Sequence, residues 1–376
     1  MRRIVIIGIL LGIIGTIVFL LIPEKVESLL DRSARAAYIR NFEKNDSTFM
    51  QWKNAREQAL RDSLLIALPY VESGIFDGDS YPVHAYNFQL QEGSKLIISL
   101  ENEIDTALVF IEIFQKEIDS ENDFRSILSN KKAEKRLEFI SERYATYKLI
   151  VQPEVDIATS FLLKIYTQPS YPFPVVGTSN KDVQSLWGAD RGAGQRSHEG
   201  IDIFADKGTP VIALTEGVIT TTDNKGLGGK QVWMRGKKER DKSFYYAHLD
   251  SIAVEKGNSV QQGDTLGFVG NTGNAEFTAP HLHFGIYKDK QGAVNPFPFI
   301  ERHGVPKVDE ANKVMRAVVE SNAITIHQGP SAGLPELFEL RKSDTVIVLG
   351  AFKNWYHIQR SPYQKGYAES SYLKAL

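Results

Sequence analysis

Four histidines and one aspartate between His198 and Phe284 fall at spacings that suit a metal-dependent hydrolase. The stretch opens with His198-Glu199-Gly200-Ile201-Asp202, passes through Tyr245-Tyr246-Ala247-His248 and closes with His281-Leu282-His283-Phe284-Gly285. The chain has eight histidines, and half of them lie here. The closing triplet alternates as a half-buried strand does, which puts His281 and His283 on one face, with Cα atoms about 6–7 Å apart. Both imidazoles can therefore serve one site. His198 and Asp202 would stand about 13 Å apart on a straight strand, too far to share an ion bound at about 2 Å. Gly200 between them supplies a bend.

A catalytic zinc takes three nitrogen or oxygen ligands from the protein and leaves a fourth position to water. Two histidines and a carboxylate meet that need, with imidazoles to spare. The spare rings can accept a proton from the metal-bound water or stabilise an oxyanion at a scissile carbonyl. A lone histidine on a strand is most often an ordinary polar residue, whereas a cluster of ligand types marks a site. Glu199 is equally a base or a solvated neighbour.

From near Val176 to near Ile300, about a third of the chain, the sequence resembles the lysostaphin/LytM-type zinc metalloendopeptidases of bacterial cell walls. Their signature is His-x-x-x-Asp followed, most of a domain later, by His-x-His. Landmarks between these agree: Gly208-Thr209-Pro210-Val211, Gly217-Val218-Ile219, Tyr246-Ala247-His248-Leu249 and Gly270-Asn271-Thr272-Gly273. The resemblance implies that His198, Asp202 and His283 hold Zn2+, that His248 and His281 form the catalytic pair, and that peptidoglycan cross-link peptides are the substrate. Relatives that have lost ligands act as non-catalytic activators of other wall hydrolases. All five positions are present here, which favours an active enzyme.

The elements that must position these residues read as strands. Val211-Ile212-Ala213-Leu214, Gln231-Val232-Trp233-Met234 and Phe244-Tyr245-Tyr246 are short apolar or alternating runs punctuated by glycines. At 376 residues the chain is long enough for two to four domains of the usual size. A net charge of −2 gives no sign of a nucleic-acid partner. Cysteine is absent, which excludes disulfides and thiolate metal sites.

Arg2 and Arg3 precede an uncharged apolar run from Ile4 to Ile22, long enough to span a bilayer. Residues 1–23 therefore read as an uncleaved membrane anchor, since no small-residue cleavage pattern follows Phe19-Leu20-Leu21-Ile22-Pro23. The arginines place the rest of the chain outside the cytoplasm. Residues 24–69 read as helical, either a stalk or helices packed on the next domain, with Asp46 or Ser47 capping a second helix that carries Trp52, Ala55 and Ala59. Residues 70–168 turn to period two in five runs, among them Tyr86-Phe88-Leu90 and Phe161-Leu163-Ile165, which suggests a β-sandwich. Its insertion from Asp119 to Lys135 is charged and reads as a surface loop or short helix. His84 and Trp52 read as packing residues.

Gln168-Pro169-Ser170-Tyr171-Pro172-Phe173-Pro174 is a stiff boundary, and the catalytic domain occupies residues 169–300. A glycine-bearing loop from Arg191 to Arg196 precedes His198 and is placed to wall a groove. Residues 315–376 are strand-rich and resemble a bacterial SH3-type domain, with Trp355 and Tyr367 serving either wall binding or core packing. His327 and His357 lack any carboxylate pattern and read as structural.

The expected protein is mostly β and multidomain: a transmembrane helix and helical stalk, a β-sandwich accessory domain, a LytM-type β catalytic domain and a small SH3-like β-barrel. It is held at the cytoplasmic membrane with its catalytic part on the periplasmic or wall side. Any regulatory protein partner is unknown. A general protease is disfavoured because no His-Glu-x-x-His helix is present, and a lipoyl-like carrier would leave the histidines unexplained.

Overall fold

The computed structural model describes residues 33–376 apart from 43–45, 79–81, 119–122, 132–133, 192–193, 195 and 309–310. The expected anchor and residues 24–32 lie outside the described residues. Among the described residues no helix is long and apolar enough to cross a membrane.

Residues 169–300 are built on one sheet whose central strands run in the order Gly217–Asn224, Lys230–Gly236, Lys242–Ile252, His281–Lys288, Ile201–Phe204 and Val183–Ser185. The strand Thr265–Val269 pairs with both Pro210–Ile212 and Lys242–Ile252. Alternation assigns the two faces. Leu282, Phe284 and Ile286, with Ile201, Ile203, Phe244 and Tyr246, are buried in one apolar core. The intervening positions Asp202, Tyr245, Ala247, His281 and His283 turn to the opposite face and line a groove.

His248 breaks that alternation. A strand in regular phase would turn Ala247 to the groove and His248 to the core. His248 instead has a left-handed φ of 60°, a conformation that non-glycine residues seldom adopt. The flip turns Ala247 and His248 to the groove and sends Leu249 into the core. The His248 N–H is held by the Gly228 carbonyl at 2.9 Å.

Residues 70–168 form two facing sheets. One has the order His84–Leu90, Ala145–Pro153, Val109–Lys116 and Phe124–Ser129; the other carries Tyr70–Phe76, Thr159–Gln168, Lys95–Asn102 and Arg136–Ile140. The Asp119 to Lys135 insertion is therefore neither loop nor helix throughout, because its middle pairs as a strand on Val109–Lys116. Its Phe124 packs beside the cluster of Val83, Ala85, Phe114 and Ile150.

The helical stalk is also corrected. The helices Ala34–Ile39 and Ser47–Ala59, capped by Ser33 and Asp46, lie on the sandwich. Trp52 is buried between Phe49 and Phe110, and its indole N–H reaches the Pro153 carbonyl at 2.8 Å. Burial of that apolar face outweighs solvent exposure as a stalk. After Leu60 the chain leaves the helix, and Leu65 and Ile66 donate to the carbonyls of Gln328 and Asn87.

The C-terminal strands continue the second sandwich sheet, joined where Ser73 of Tyr70–Phe76 faces Ala351 of Thr345–Phe352. Trp355 and Tyr367 are buried in the same apolar cluster as Tyr70, Tyr86 and Phe161, so neither is a surface aromatic for wall binding. At this junction the Glu72 carboxylate is fully buried. One of its oxygens accepts from His84 Nδ1 at 3.2 Å, His357 Nδ1 at 3.2 Å and the Tyr86 hydroxyl at 3.0 Å, and the other accepts from Tyr70. His357 is thus joined to a carboxylate after all, one 285 residues away in the chain. Burial would raise the Glu72 carboxyl, but the His357 and His84 imidazoles outweigh it and hold the group well below the usual carboxylate range.

Candidate metal centre

Asp202 and His283 lie opposite each other on adjacent antiparallel strands, and His198 precedes the first of these strands. The chain bends at Gly200, which returns His198 to within reach of Asp202. Gly200 is required for space as well, since a Cβ there would lie 2.6 Å from the Phe284 carbonyl and 2.7 Å from His283 Cε1. His198 Nε2 stands 3.1 Å from Asp202 Oδ1 and 3.0 Å from His283 Nδ1, which is itself 3.0 Å from the same oxygen.

The back of His198 decides what this triangle can hold. Its Nδ1 faces the Leu186 carbonyl at 2.9 Å, an acceptor that takes the Nδ1 proton. A neutral ring then presents a bare Nε2 lone pair to a carboxylate oxygen and to a second imidazole. Three ligand atoms, two imidazole nitrogens and a carboxylate oxygen, converge in a set that suits a cation. Four-coordinate zinc bound at 2.0–2.1 Å has ligands about 3.3 Å apart, and these atoms sit close to that spacing. Burial would raise the Asp202 carboxyl, but the adjoining His198 and His283 imidazoles outweigh it and hold the group far below its ordinary value.

Glu72, His84 and His357 form a second close group of metal-ligand type, and their chemistry differs. Both Nε2 atoms are buried without a partner. The Nδ1 protons are therefore free to point at Glu72, and that carboxylate is satisfied by hydrogen bonds alone. Metal-bound imidazole ordinarily gives its remaining N–H to an acceptor, and none is present there.

His248 and His281 flank the candidate centre, with ring centroids 5.1 Å apart. Each has its Nδ1 on a backbone carbonyl at 2.9 Å: Thr272 for His248 and Ala279 for His281. Both tautomers are fixed, and the exchangeable position on each ring is Nε2. Burial, followed by the neighbouring His281 and His283, pushes His248 down to about 4, so it is neutral near pH 7. Glu199 is exposed on the rim, outside the donor triangle, and interacts with the Tyr287 hydroxyl.

The groove has a volume of about 770 Å³, and all of its described lining residues lie between Gln184 and Tyr287. The sandwich touches residues 169–300 elsewhere, through Lys288 to Glu92 at 2.7 Å and the Ser170 hydroxyl to the Gly93 carbonyl at 2.6 Å. Two contributors escaped sequence reasoning. The Leu186 carbonyl carries no sequence signal. Arg191 was legible only as part of a glycine-bearing loop, yet its guanidinium donates to Asp202 Oδ2 and to Ser185 Oγ.

Two imidazoles and a carboxylate thus converge in an open groove of a β domain, beside two further histidines, as a donor set that could hold a metal ion. Residues 196–296 match Peptidase family M23, so the chain contains a peptidase domain of that family. It is 34% identical over 142 residues to the L-Ala--D-Glu endopeptidase of Bacillus subtilis (strain 168), covering 35% of this chain and 43% of that protein. It is 37% identical over 117 residues to lysostaphin of Staphylococcus simulans, covering 29% and 22%. An uncharacterized metalloprotease of Haemophilus influenzae is 35% identical over 102 residues, covering 27% and 20%. The chain spans less than half the length of each of these relatives.

Proposed function

We propose that this chain is a zinc endopeptidase that hydrolyses peptide cross-links of bacterial peptidoglycan, held at the outer face of the cytoplasmic membrane by residues 1–23. The observation that carries the reading is the convergence of His198 Nε2, Asp202 Oδ1 and His283 Nδ1 in an open groove beside two further imidazoles. Relatives named L-Ala--D-Glu endopeptidase and glycyl-glycine endopeptidase support a peptide substrate.

His198, Asp202 and His283 would hold the zinc, which when bound supplies a Lewis acid and a water of lowered pKa. The neutral His248, its Nδ1 proton committed to Thr272, accepts a proton at Nε2. His281, oriented by its Nδ1 contact to Ala279, presents Nε2 to the groove beside the scissile carbonyl. Tyr245 and Tyr287 wall the groove beside His283 and orient the bound peptide. The sandwich and C-terminal strands act as one spacer that leaves the groove uncovered.

The test is digestion of purified peptidoglycan by residues 24–376, with zinc, with chelator and as His281→Ala, reading fragments by mass spectrometry. Zinc-dependent loss of cross-linked dimers that disappears in the variant supports the reading. Zinc binding without cleavage, together with stimulation of another wall hydrolase, would replace it with an activator role.

A further inference from the structure

The two oxygens of Asp202 have different surroundings. Oδ1 faces His198 and His283 at 3.1 and 3.0 Å. Oδ2 is turned away and accepts from Arg191 Nη2. The same nitrogen donates to Ser185 Oγ at 2.6 Å, so the guanidinium is anchored at two points. It also lies 3.2 Å from His198 Nδ1, whose proton is already given to Leu186. Arg191 thus touches both members of the His-x-x-x-Asp element from behind. Its strand Asp190–Arg191 pairs with Arg196–Ser197, which runs directly into His198.

We propose that Arg191 is a positioning residue that occupies Asp202 Oδ2, so that Asp202 can offer only one oxygen to the metal. This rests on the metal-centre reading above. A carboxylate free at both oxygens can bind bidentate and fill a coordination position that a catalytic site must leave for water and substrate. A guanidinium on one oxygen prevents that and fixes the carboxylate plane. It also draws negative charge from Asp202, which leaves the bound ion more electrophilic. A lysine keeps a cationic donor but carries it on a compact ammonium in place of the guanidinium Nη2 that reaches both Asp202 and Ser185.

The experiment uses the full chain in detergent loaded with Co2+, whose visible absorption distinguishes four- from five-coordinate sites. It compares wild type with Arg191→Met, which keeps bulk without donors, Arg191→Lys, and Ser185→Ala, which removes the second anchor while leaving the ligands intact. In wild type, one equivalent of cobalt is expected, with the strong band of a four-coordinate ion. Arg191→Met should still bind one equivalent, but with a weaker band of five-coordinate type. Its kcat on soluble cross-linked muropeptide dimers should fall about 10–100-fold with KM little changed. Arg191→Lys should be intermediate, and Ser185→Ala should move the spectrum the same way by less. An unchanged cobalt spectrum in both Arg191→Met and Ser185→Ala would overturn the assignment whatever the activity does. If Arg191→Met does not fold, the Lys and Ala variants decide by the same readout. Failure of wild type to bind cobalt would instead remove the metal-centre reading itself.

Discussion

Asp202 and His283 face each other across two antiparallel strands, and their ligand atoms stand 3.0 Å apart. The pairing makes one half of the site a property of the sheet, so backbone register places two of the three donor atoms. Asp202→Ala should therefore remove stoichiometric zinc and reduce peptidoglycan cleavage to background while the sheet stays folded. Metal analysis and a far-UV spectrum of the same sample check this; full zinc content in the variant would sink the ligand assignment.

Gly200→Ala introduces a Cβ into space held by Phe284 and His283. Overpacking of this kind costs about 1–3 kcal/mol, and here the nearest movable group is the His283 ring. Thermal unfolding should show the loss of stability, and zinc affinity should fall with it. A variant that is destabilised yet binds zinc normally would mean that the ring does not absorb the displacement.

His248 has a folded-state pKa lowered from 6.5 to about 4, so the unfolded chain binds its proton first as pH falls. The folded state is favoured above about pH 6.5, and that advantage is lost as pH drops toward 4. In chelated protein the loss should reach about 3 kcal/mol at most, from the roughly 1.4 kcal/mol carried by each pKa unit. Denaturant melts of wild type and His248→Gln at pH 7.5 and 4.5 would show a smaller pH dependence in the variant. Equal slopes would mean that His248 is not held neutral by the fold.

Glu72→Gln leaves His84, His357, Tyr70 and Tyr86 around an uncharged amide in a dry junction. Breaking a buried charged network typically costs about 3–5 kcal/mol, so the melting temperature should fall, and both the sandwich and the C-terminal strands should become more susceptible to proteolysis. Zinc content should stay at one equivalent per chain, as in wild type. A second equivalent in wild type that disappears in Glu72→Gln would identify a buried metal at Glu72 in place of the hydrogen-bonded cluster.

Short-range pattern carried much of what could be read from the chain itself. Two-residue alternation placed His281 and His283 on one face and Leu282 and Phe284 on the other, because pleating depends only on sequential position. The Asp46 cap and the sandwich strands were legible for the same local reason. The M23 match covers the segment that carries the five candidate residues.

Tertiary structure alone decided the rest, because those relationships join groups with no fixed separation along the chain. Nothing near Trp52 announced Phe110 and Pro153 as its neighbours, so a stalk and a packed helix looked alike until the apolar face found its partner. His357 meets Glu72 only because the C-terminal strands extend the sandwich sheet at Ser73 and Ala351. The left-handed turn at His248 depends on a carbonyl from Gly228, and the Leu186 carbonyl that fixes His198 is a backbone atom any residue could supply. The sequence by itself determined which side chains could bind a metal. The fold determined where their protons and second oxygens go, because hydrogen-bond partners are set by proximity in space.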